Sequence, residues 1–254
     1  MIKVRDVHKR FGVNAVLDGV TLDVQDGETL ALLGPSGTGK SVLLKTIIGL
    51  IRPDQGDIDV DGQHVTSLDR DALARLRRRI GYVFQNGALF DSDNVFENIR
   101  LGLTDPAEFA DGDFARQRVA ECLSLVNLQA AVAEKMPAEL SGGMRKRVGI
   151  ARAIAGRPKY VLYDEPTSGL DPVNSDIIDG LIRRLNDELG VTGIMVTHDV
   201  RGAFRTAHRI ALLTGGRVVA EGTPDEFRSS SNPEVRAFLE RDFDLAPLET
   251  GTSA

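Results

Sequence analysis

The chain has 254 residues, with 31 basic and 37 acidic side chains that give a formal net charge of −6. Its hydrophobic content of 42% and charged content of 27% are those of an ordinary globular protein, which excludes general disorder. A single cysteine, Cys122, excludes an intrachain disulfide scaffold, and the acidic balance argues against general nucleic-acid binding. The longest charge-free stretch, residues 122–133, is shorter than the roughly 18 residues that cross a bilayer, and the N-terminus lacks the apolar run of a secretory signal. We therefore expect a cytosolic chain that does not span a membrane.

The first third of the chain is predicted to contain strands, one glycine-rich loop and two helices. Residues 2–30 alternate apolar and polar side chains, which is typical of antiparallel strands. Residues 29–33 form a short apolar strand, and residues 41–50 carry leucine and isoleucine at helical spacing. A hairpin over residues 57–65 and a basic helix over residues 69–79 follow.

The remainder predicts a sheet interrupted by a helical segment. Residues 86–158 are helical in pattern, and the last helix of that segment would be capped by Ser141. Strand patterns return later, separated by helices, at residues 160–163, 193–197 and 209–213. Alternation of this kind favours an α/β fold with a parallel sheet covered on both faces. We expect one domain over residues 1–231, with a helical insertion at about 86–158. Residues 232–254 would form a separate C-terminal region, which consists of an amphipathic helix (232–243) and a loose tail (245–254).

The segment between the apolar strand and the first helix matches the pattern G-x-x-x-x-G-K-[ST]. Its residues are Gly34, Pro35, Ser36, Gly37, Thr38, Gly39, Lys40 and Ser41. Glycines let backbone N–H groups face a phosphate chain, and the helix N-terminus adds its positive dipole end. Lys40 would neutralise the β and γ oxygens, while the Ser41 hydroxyl would ligate Mg²⁺. The alternative is an ordinary glycine-rich turn between strand and helix.

Two adjacent carboxylates, Asp164 and Glu165, end the apolar strand that begins at Tyr160. Ligands bind at this carboxyl edge in open parallel sheets. Asp164 could hold Mg²⁺, and Glu165 could act as the general base that activates the attacking water, as in-line phosphoryl transfer requires. The alternative is a solvated turn, where charged residues are common.

Residues 140–144, Leu-Ser-Gly-Gly-Met, open the second amphipathic helix. Gly142 and Gly143 cost roughly 1 kcal/mol each relative to alanine and leave N–H groups open to an anion. With the phosphate loop and the Asp164-Glu165 strand end in this chain order, the sequence resembles the ATP-binding-cassette ATPases over about residues 1–230. The resemblance implies a P-loop NTPase fold with a RecA-like parallel-sheet core, an antiparallel β subdomain and a helical subdomain.

The resemblance also implies roles for residues that have no local signature of their own. Gln85 matches the glutamine that touches Mg²⁺ and water, and His198 matches the histidine that contacts the γ-phosphate. Residues 168–171, which end at Asp171, match the loop that crosses the dimer interface. Phe11 lies where the family stacks an aromatic ring on adenine, although a core phenylalanine is the alternative there.

The same resemblance implies a composite site in a homodimer. ATP and Mg²⁺ would be sandwiched between Lys40 of one chain and Ser141, Gly142 and Gly143 of the other. Hydrolysis would then drive a separate integral-membrane permease, on the cytoplasmic face of the inner (plasma) membrane. No nucleic-acid partner is expected.

Three local features are similar to the ATPase of the Mla/MCE-type phospholipid transport systems. They are the stretch 85–90, Tyr163 before the metal aspartate, and Met-Arg-Lys-Arg over residues 144–147. This similarity implies a permease, an MCE-domain protein and a small accessory subunit, with a role in outer-membrane lipid asymmetry. Leu89 and Phe90 would then be buried by the permease.

Other interpretations stay open from the sequence alone. Residues 145–147 could be a solvated helix face, at least in part. The chain could also be the ATPase of an importer for amino acids or another small solute, or a cassette protein that acts on DNA or ribosomes.

Overall fold

The computed structural model describes residues 1–242; the predicted tail at residues 245–254 lies outside the described residues. The strands are β1 (Ile2–Phe11), β2 (Asn14–Val24), β3 (Thr29–Leu33), β4 (Gln55–Val60), β5 (Gln63–His64), β6 (Ile80–Val83), β7 (Tyr160–Asp164), β8 (Thr192–Thr197), β9 (Arg209–Thr214) and β10 (Arg217–Gly222). The α-helices are α1 (Lys40–Ile47), α2 (Arg70–Arg77), α3 (Val95–Arg100), α4 (Pro106–Ala110), α5 (Gly112–Leu125), α6 (Gly142–Ala155), α7 (Pro172–Leu189), α8 (Val200–Thr206), α9 (Pro224–Arg228) and α10 (Pro233–Asp242).

A six-stranded sheet in the order β10-β9-β3-β8-β7-β6 forms the centre of the chain. Its five strands from β9 to β6 pair in parallel, as the alternation of strands and helices predicted. The sixth strand, β10, pairs antiparallel with β9 at one edge. The sequence analysis missed both edge strands, because β6 has only four residues and β10 is half-buried rather than continuously apolar.

The N-terminal strands form a second, antiparallel sheet in the order β2-β1-β4-β5. Ile2 pairs with Val24 on one side and with Val60 on the other, so the predicted hairpin over residues 57–65 joins the predicted N-terminal strands. The helices α3 to α6 lie between β6 and β7, where the helical insertion was predicted.

Both faces of the central sheet are covered by apolar side chains. In β3, Leu30 and Leu32 point to a cluster shared with the antiparallel sheet and α1, while Ala31 and Leu33 point to a cluster shared with the helical segment. Successive residues of a strand alternate between faces, so this one strand serves two cores. In residues 1–242 there is no helix of the length and apolar character that a membrane span requires.

The strand order determines where the site lies. The strands β3, β8 and β7 are neighbours, with Leu33 opposite Thr197 and Asp164 opposite Val196. Because parallel strands end at the same edge, the segments that follow these three strands meet there. Those segments are the glycine-rich loop 34–41, Glu165 and His198.

Candidate functional site

The glycine-rich loop 34–41 is closely packed, and two of its positions accept glycine only. A Cβ on Gly34 would lie 2.3 Å from the carbonyl oxygen of Leu213. Gly39 has a φ of 98°, and a Cβ there would lie 2.7 Å from the carbonyl oxygen of Val16. The loop is therefore held between β9 and β2, and it leads directly into α1 at Lys40.

The Lys40 side chain is buried and crosses the loop. Its Nζ donates to the carbonyl oxygens of Gly34 at 2.7 Å and Pro35 at 3.0 Å, and lies 3.6 Å from Oε1 of Glu165. Burial lowers the pKa of this ammonium, and the nearby Glu165 carboxylate opposes that effect. The structure thus brings the loop lysine and the predicted base into one cluster.

The Asp164 carboxylate accepts two hydrogen bonds. Ser41 Oγ donates to Oδ1 at 2.6 Å, and the Tyr82 hydroxyl donates to Oδ2 at 2.8 Å. Burial raises the pKa of Tyr82 and the Asp164 charge adds to the rise, so the phenol stays protonated and able to donate. The two predicted metal ligands Ser41 and Asp164 are therefore in direct contact.

Glu165 combines burial with an unusual backbone. Its φ is 49°, a left-handed conformation that costs a residue with a side chain about 1–3 kcal/mol. Its N–H donates to the carbonyl of Val196 at 2.9 Å, and its Oε2 lies 2.9 Å from His198 Nδ1. Since a carboxylate can only accept, Nδ1 carries the proton. The solvated-turn alternative for Asp164 and Glu165 is wrong, because both residues are buried.

Ser141 caps α6 as predicted, its hydroxyl accepting from the N–H of Met144 at 3.2 Å. Gly142 and Gly143 form the first turn, and a Cβ on Gly143 would lie 2.9 Å from Oδ1 of Asn174. The turn that carries these glycines thus packs against the start of α7.

Asp171 is the N-cap of α7. Its Oδ1 accepts from the backbone N–H of Asn174 at 3.0 Å and its Oδ2 from the Asn174 amide at 2.6 Å, and this amide lowers the pKa of Asp171. Within the described residues, the hydrogen bonds and ion pairs of loop 34–41 do not reach residues 141–143. These contacts therefore do not join the phosphate loop to the Ser141 turn within one chain.

Gln85 and Phe11 both lie on the surface. The Gln85 amide donates to the Ser168 hydroxyl at 3.2 Å, which joins it to the segment that ends at Asp171. Phe11 is 49% exposed at the end of β1, with Lys9 Nζ 5.5 Å from its ring centroid. A core phenylalanine is therefore the wrong interpretation of Phe11.

The loop after Gln85 presents one apolar side chain. Phe90 is 56% exposed, while its backbone N–H and carbonyl are held by the Asn98 side chain at 2.8 Å and 3.0 Å. Leu89 is half-buried against the cluster shared with the helical segment, so part of its side chain is already covered within the chain.

The three cations 145–147 differ in environment. Arg145 is exposed, whereas Arg147 is half-buried and donates to the carbonyl of Asn127 at 3.0 Å. Lys146 is 5% exposed, and its Nζ donates to the carbonyl oxygens of Gln85 and Glu165. A solvated face is correct for Arg145 and wrong for Lys146.

Sequence reasoning assigned no role to Tyr82 or Lys146. A signal existed for Lys146, because it precedes the buried Ile150 and Ile154 by four and eight residues and so lies on the same face of α6. For Tyr82 no local signal existed, since its partner Asp164 is 82 residues away in the chain.

Tyr163, one of the three subfamily features, lies in the core. Its buried hydroxyl donates to Oδ1 of Asn186 at 2.9 Å, and the Asn186 amide donates to the Thr29 hydroxyl at 2.7 Å. Burial raises the pKa of Tyr163. The residue therefore ties α7 to β3 and β7.

Comparison with known proteins decides the family. The family described as "ABC transporter" matches residues 17–168, more than half of the chain. The chain belongs to the ABC transporter family. The matched span contains the loop 34–41, Gln85, residues 141–143 and the Asp164-Glu165 pair.

Curated relatives of this ABC ATPase include several transporter subunits. It is 38% identical to the intermembrane phospholipid transport system ATP-binding protein of Haemophilus influenzae, over 96% of this chain and 92% of that protein. It is 40% identical to a probable ribonucleotide transport ATP-binding protein of Mycobacterium leprae, over 94% of this chain and 68% of that protein. It is also 40% identical to the methionine import ATP-binding protein of Brucella abortus, over 94% of this chain and 64% of that protein.

Solved structures agree with the fold. The dimeric structure of MJ0796, a bacterial ABC transporter cassette, has a TM-score of 0.81 and 36% identity, covering 88% of this chain and 99% of that one. A post-hydrolysis dimer of the same cassette, bound to ADP and Pi, has a TM-score of 0.80. The chain is thus an ATP hydrolase with the ABC ATPase fold, as the motifs predicted.

Proposed function

We propose that this ABC ATPase is the ATP-hydrolysing subunit of a phospholipid transporter, driving an integral-membrane permease. The observation that carries the proposal is the similarity to the Haemophilus intermembrane phospholipid transport protein across most of both chains. The local features at residues 85–90, 144–147 and Tyr163 support the same assignment. An MCE-domain protein and a small accessory subunit complete the assembly, which maintains outer-membrane lipid asymmetry from the cytoplasmic face of the inner membrane.

The contacts at the sheet edge support the catalytic roles that we propose. Glu165 is the general base, since its buried carboxylate is aimed by Lys40 at 3.6 Å and by His198 at 2.9 Å. Lys40 and the loop N–H groups bind the phosphates, and His198 contacts the γ-phosphate. The exposed Phe11 ring stacks on adenine.

Mg²⁺ would be the cofactor of this reaction, and Ser41, Asp164 and Gln85 would hold it. A hydroxyl and a carboxylate in direct contact are oxygen donors of the kind that Mg²⁺ prefers, with one or two carboxylates and the substrate phosphates as ligands. In the part of the chain that the structure describes, no three His, Cys, Asp or Glu side chains are grouped to hold a metal. Bound beside the nucleotide, Mg²⁺ would supply charge neutralisation to the phosphates.

A homodimer completes the site. Ser141, Gly142 and Gly143 form a helix N-terminus suited to an anion, and within the chain Gly143 lies beside Asn174 and Gly142 beside Leu170. The dimeric structures of similar cassettes support pairing of two chains. ATP then lies between the loop of one chain and residues 141–143 of the other, with Asp171 at the contact.

Import of a small solute is the second candidate. The methionine import protein of Brucella abortus has slightly higher identity, 40%, over a smaller share of its own length. Amino-acid import would replace the phospholipid by a soluble substrate and the MCE-domain partner by a solute-binding protein.

The experiment that tests the proposal uses the complex as it assembles. The tagged chain is purified with the permease that accompanies it and reconstituted in vesicles, and ATP turnover is measured with added phospholipid or with L-methionine and its binding protein. Stimulation by phospholipid, absent in Lys40→Ala, is expected. Stimulation by the amino acid alone would replace the phospholipid assignment by the second candidate. A solute-binding-protein gene beside the permease gene, instead of an MCE-domain gene, would count in the same direction.

A further inference from the structure

Lys146 is a buried cation on the helix that begins with Ser141, Gly142 and Gly143. We propose that Lys146 is a positioning residue: it connects this helix to the backbone of Glu165 and to the loop at Gln85, and so sets the catalytic carboxylate. The inference rests on the proposed role of Glu165 as the base.

The contacts of Lys146 join two segments that follow neighbouring strands. Its Nζ donates to the carbonyl oxygen of Gln85, which follows β6, and to that of Glu165 at 3.3 Å, which follows β7. Burial lowers the pKa of Lys146, and the Glu165 carboxylate opposes this. A buried ammonium needs such acceptors, and in return it limits the movement of both segments.

The backbone of Glu165 is strained, so hydrogen bonds that hold it in place matter more than they would for a residue in an ordinary conformation. At a φ of 49° it is held in a conformation that residues with side chains rarely adopt. Its N–H donates to the carbonyl oxygen of Val196, and its own carbonyl oxygen accepts from Lys146 Nζ and from the Ser168 N–H at 3.2 Å. With both backbone groups fixed, the carboxylate is directed at Lys40 and His198.

Lys146 lies on α6, whose first turn is the proposed contact surface for the nucleotide of a second chain. Lys146 is five residues from Ser141 on α6, which is about 7.5 Å along a helix. A shift of the first turn, where a second chain's nucleotide would bind, therefore moves Lys146 as well. In this way, closure on the nucleotide of one chain moves Lys146 of the other chain. That Lys146 contacts Glu165 of its own chain, which belongs to the second composite site.

Two neighbouring cations provide matched controls. Arg145 lies on the same turn and is exposed, so Arg145→Met removes the same charge from the same helix. Arg152 donates to the carbonyl oxygens of Gly87 at 2.7 Å and Ala88 at 2.8 Å, so it holds the loop after Gln85 and not Glu165.

The test compares Lys146→Met, Lys146→Gln, Arg145→Met and Arg152→Met in the full chain. Lys146→Met is expected to lower kcat about tenfold or more, the cost of losing hydrogen bonds from a charged donor, with KM for ATP within about twofold of wild type. Lys146→Gln keeps amide donors on a shorter stem and should give an intermediate kcat. Arg145→Met should match wild type, and Arg152→Met should lower kcat less than Lys146→Met.

A double variant separates positioning from general destabilisation. If Lys146 acts through Glu165, adding Lys146→Met to Glu165→Gln should cost little further single-turnover rate, measured with radiolabelled ATP. Multiplicative losses would overturn the proposal, as would unchanged kcat in Lys146→Met. Should Lys146→Met not fold, full turnover in Lys146→Gln overturns it and partial turnover supports it. Normal turnover in Glu165→Gln alone would instead refute the proposed base.

Discussion

The Tyr82 hydroxyl donates to Oδ2 of Asp164 at 2.8 Å, while Ser41 donates to the other oxygen of the same carboxylate at 2.6 Å. Tyr82 lies in β6, three residues before Gln85, and the centroid of its ring lies 4.5 Å from the centroid of the Phe84 ring. The proposed metal ligand is therefore oriented from two sides, by the phosphate loop and by the strand that leads to the glutamine.

Tyr82→Phe should weaken Mg²⁺ binding while leaving the ring packing in place. Loss of a hydrogen bond to a metal-ligating carboxylate costs about 10–100-fold in metal affinity. A Mg²⁺ titration of ATP turnover checks this. Tyr163→Phe is the control, since it removes a hydroxyl bound to Asn186 and should lower thermal stability without changing Mg²⁺ dependence. An unchanged titration in Tyr82→Phe would contradict the role assigned to the hydroxyl.

Lys40→Ala should abolish ATP turnover and weaken ATP binding. The substitution removes the ammonium that spans the loop and faces Glu165. Turnover of the purified complex and binding of a fluorescent ATP analogue are the measurements. Hydrolysis at the wild-type rate would eliminate the assignment of residues 34–41 as the phosphate site.

Glu165→Gln should separate chemistry from dimer closure. It keeps the shape but removes the proton acceptor, which should slow hydrolysis by about 10² to 10⁴. ATP should then accumulate between two chains and hold the dimer closed, as measured by light scattering with and without ATP. Adding Ser141→Arg should undo this trap, because the longer side chain enters the space beside the partner's nucleotide. ATP-driven closure that survives Ser141→Arg would refute the composite site.

Phe90→Glu should reduce recovery of the permease with the tagged chain, because a charge would enter an apolar contact. The isolated fold should stay intact, since Phe90 is 56% exposed. Val13→Glu is the matched control, an apolar residue 88% exposed on the β1–β2 hairpin, and it should leave recovery unchanged. Equal recovery of the permease by both variants would argue against a contact at Phe90.

Asp179→Asn should stabilise the chain at alkaline pH. Asp179 is buried with Oδ2 unpaired, and burial followed by the charge of Asp199 raises its pKa from 3.8 to about 7, an effect that Arg205 opposes and Asp176 adds to. The folded state binds the proton more tightly, so stability falls as pH rises from about 4 to about 7. The gain in Tm from Asn should be larger at pH 8 than at pH 5. An equal gain at both values would show that the carboxyl does not titrate in this window.

Local pattern was sufficient for the motifs of this chain and for many of its elements, but not for the edge strands β6 and β10. Apolar alternation predicted the antiparallel strands of the N-terminal sheet, helical spacing predicted α1 and α6, and Ser141 was identified as the cap of α6 from its position before Gly142. Glycine at 34 and 39 followed from the loop pattern, and the structure shows that a Cβ would clash at both positions. These features depend on residues within a few positions of one another, which the sequence records directly.

Tertiary structure alone decided which distant residues share a contact. Lys146 reaches Gln85 and Glu165, and Tyr82 reaches Asp164, because β6, β7 and α6 lie side by side. Local periodicity predicts that a segment is a strand or a helix, but it does not state the order of strands in a sheet or the phase of a helix against it. Which carbonyl groups a buried cation such as Lys146 reaches depends on that order and phase. The free energy that selects them comes from burial summed over both cores of the central sheet.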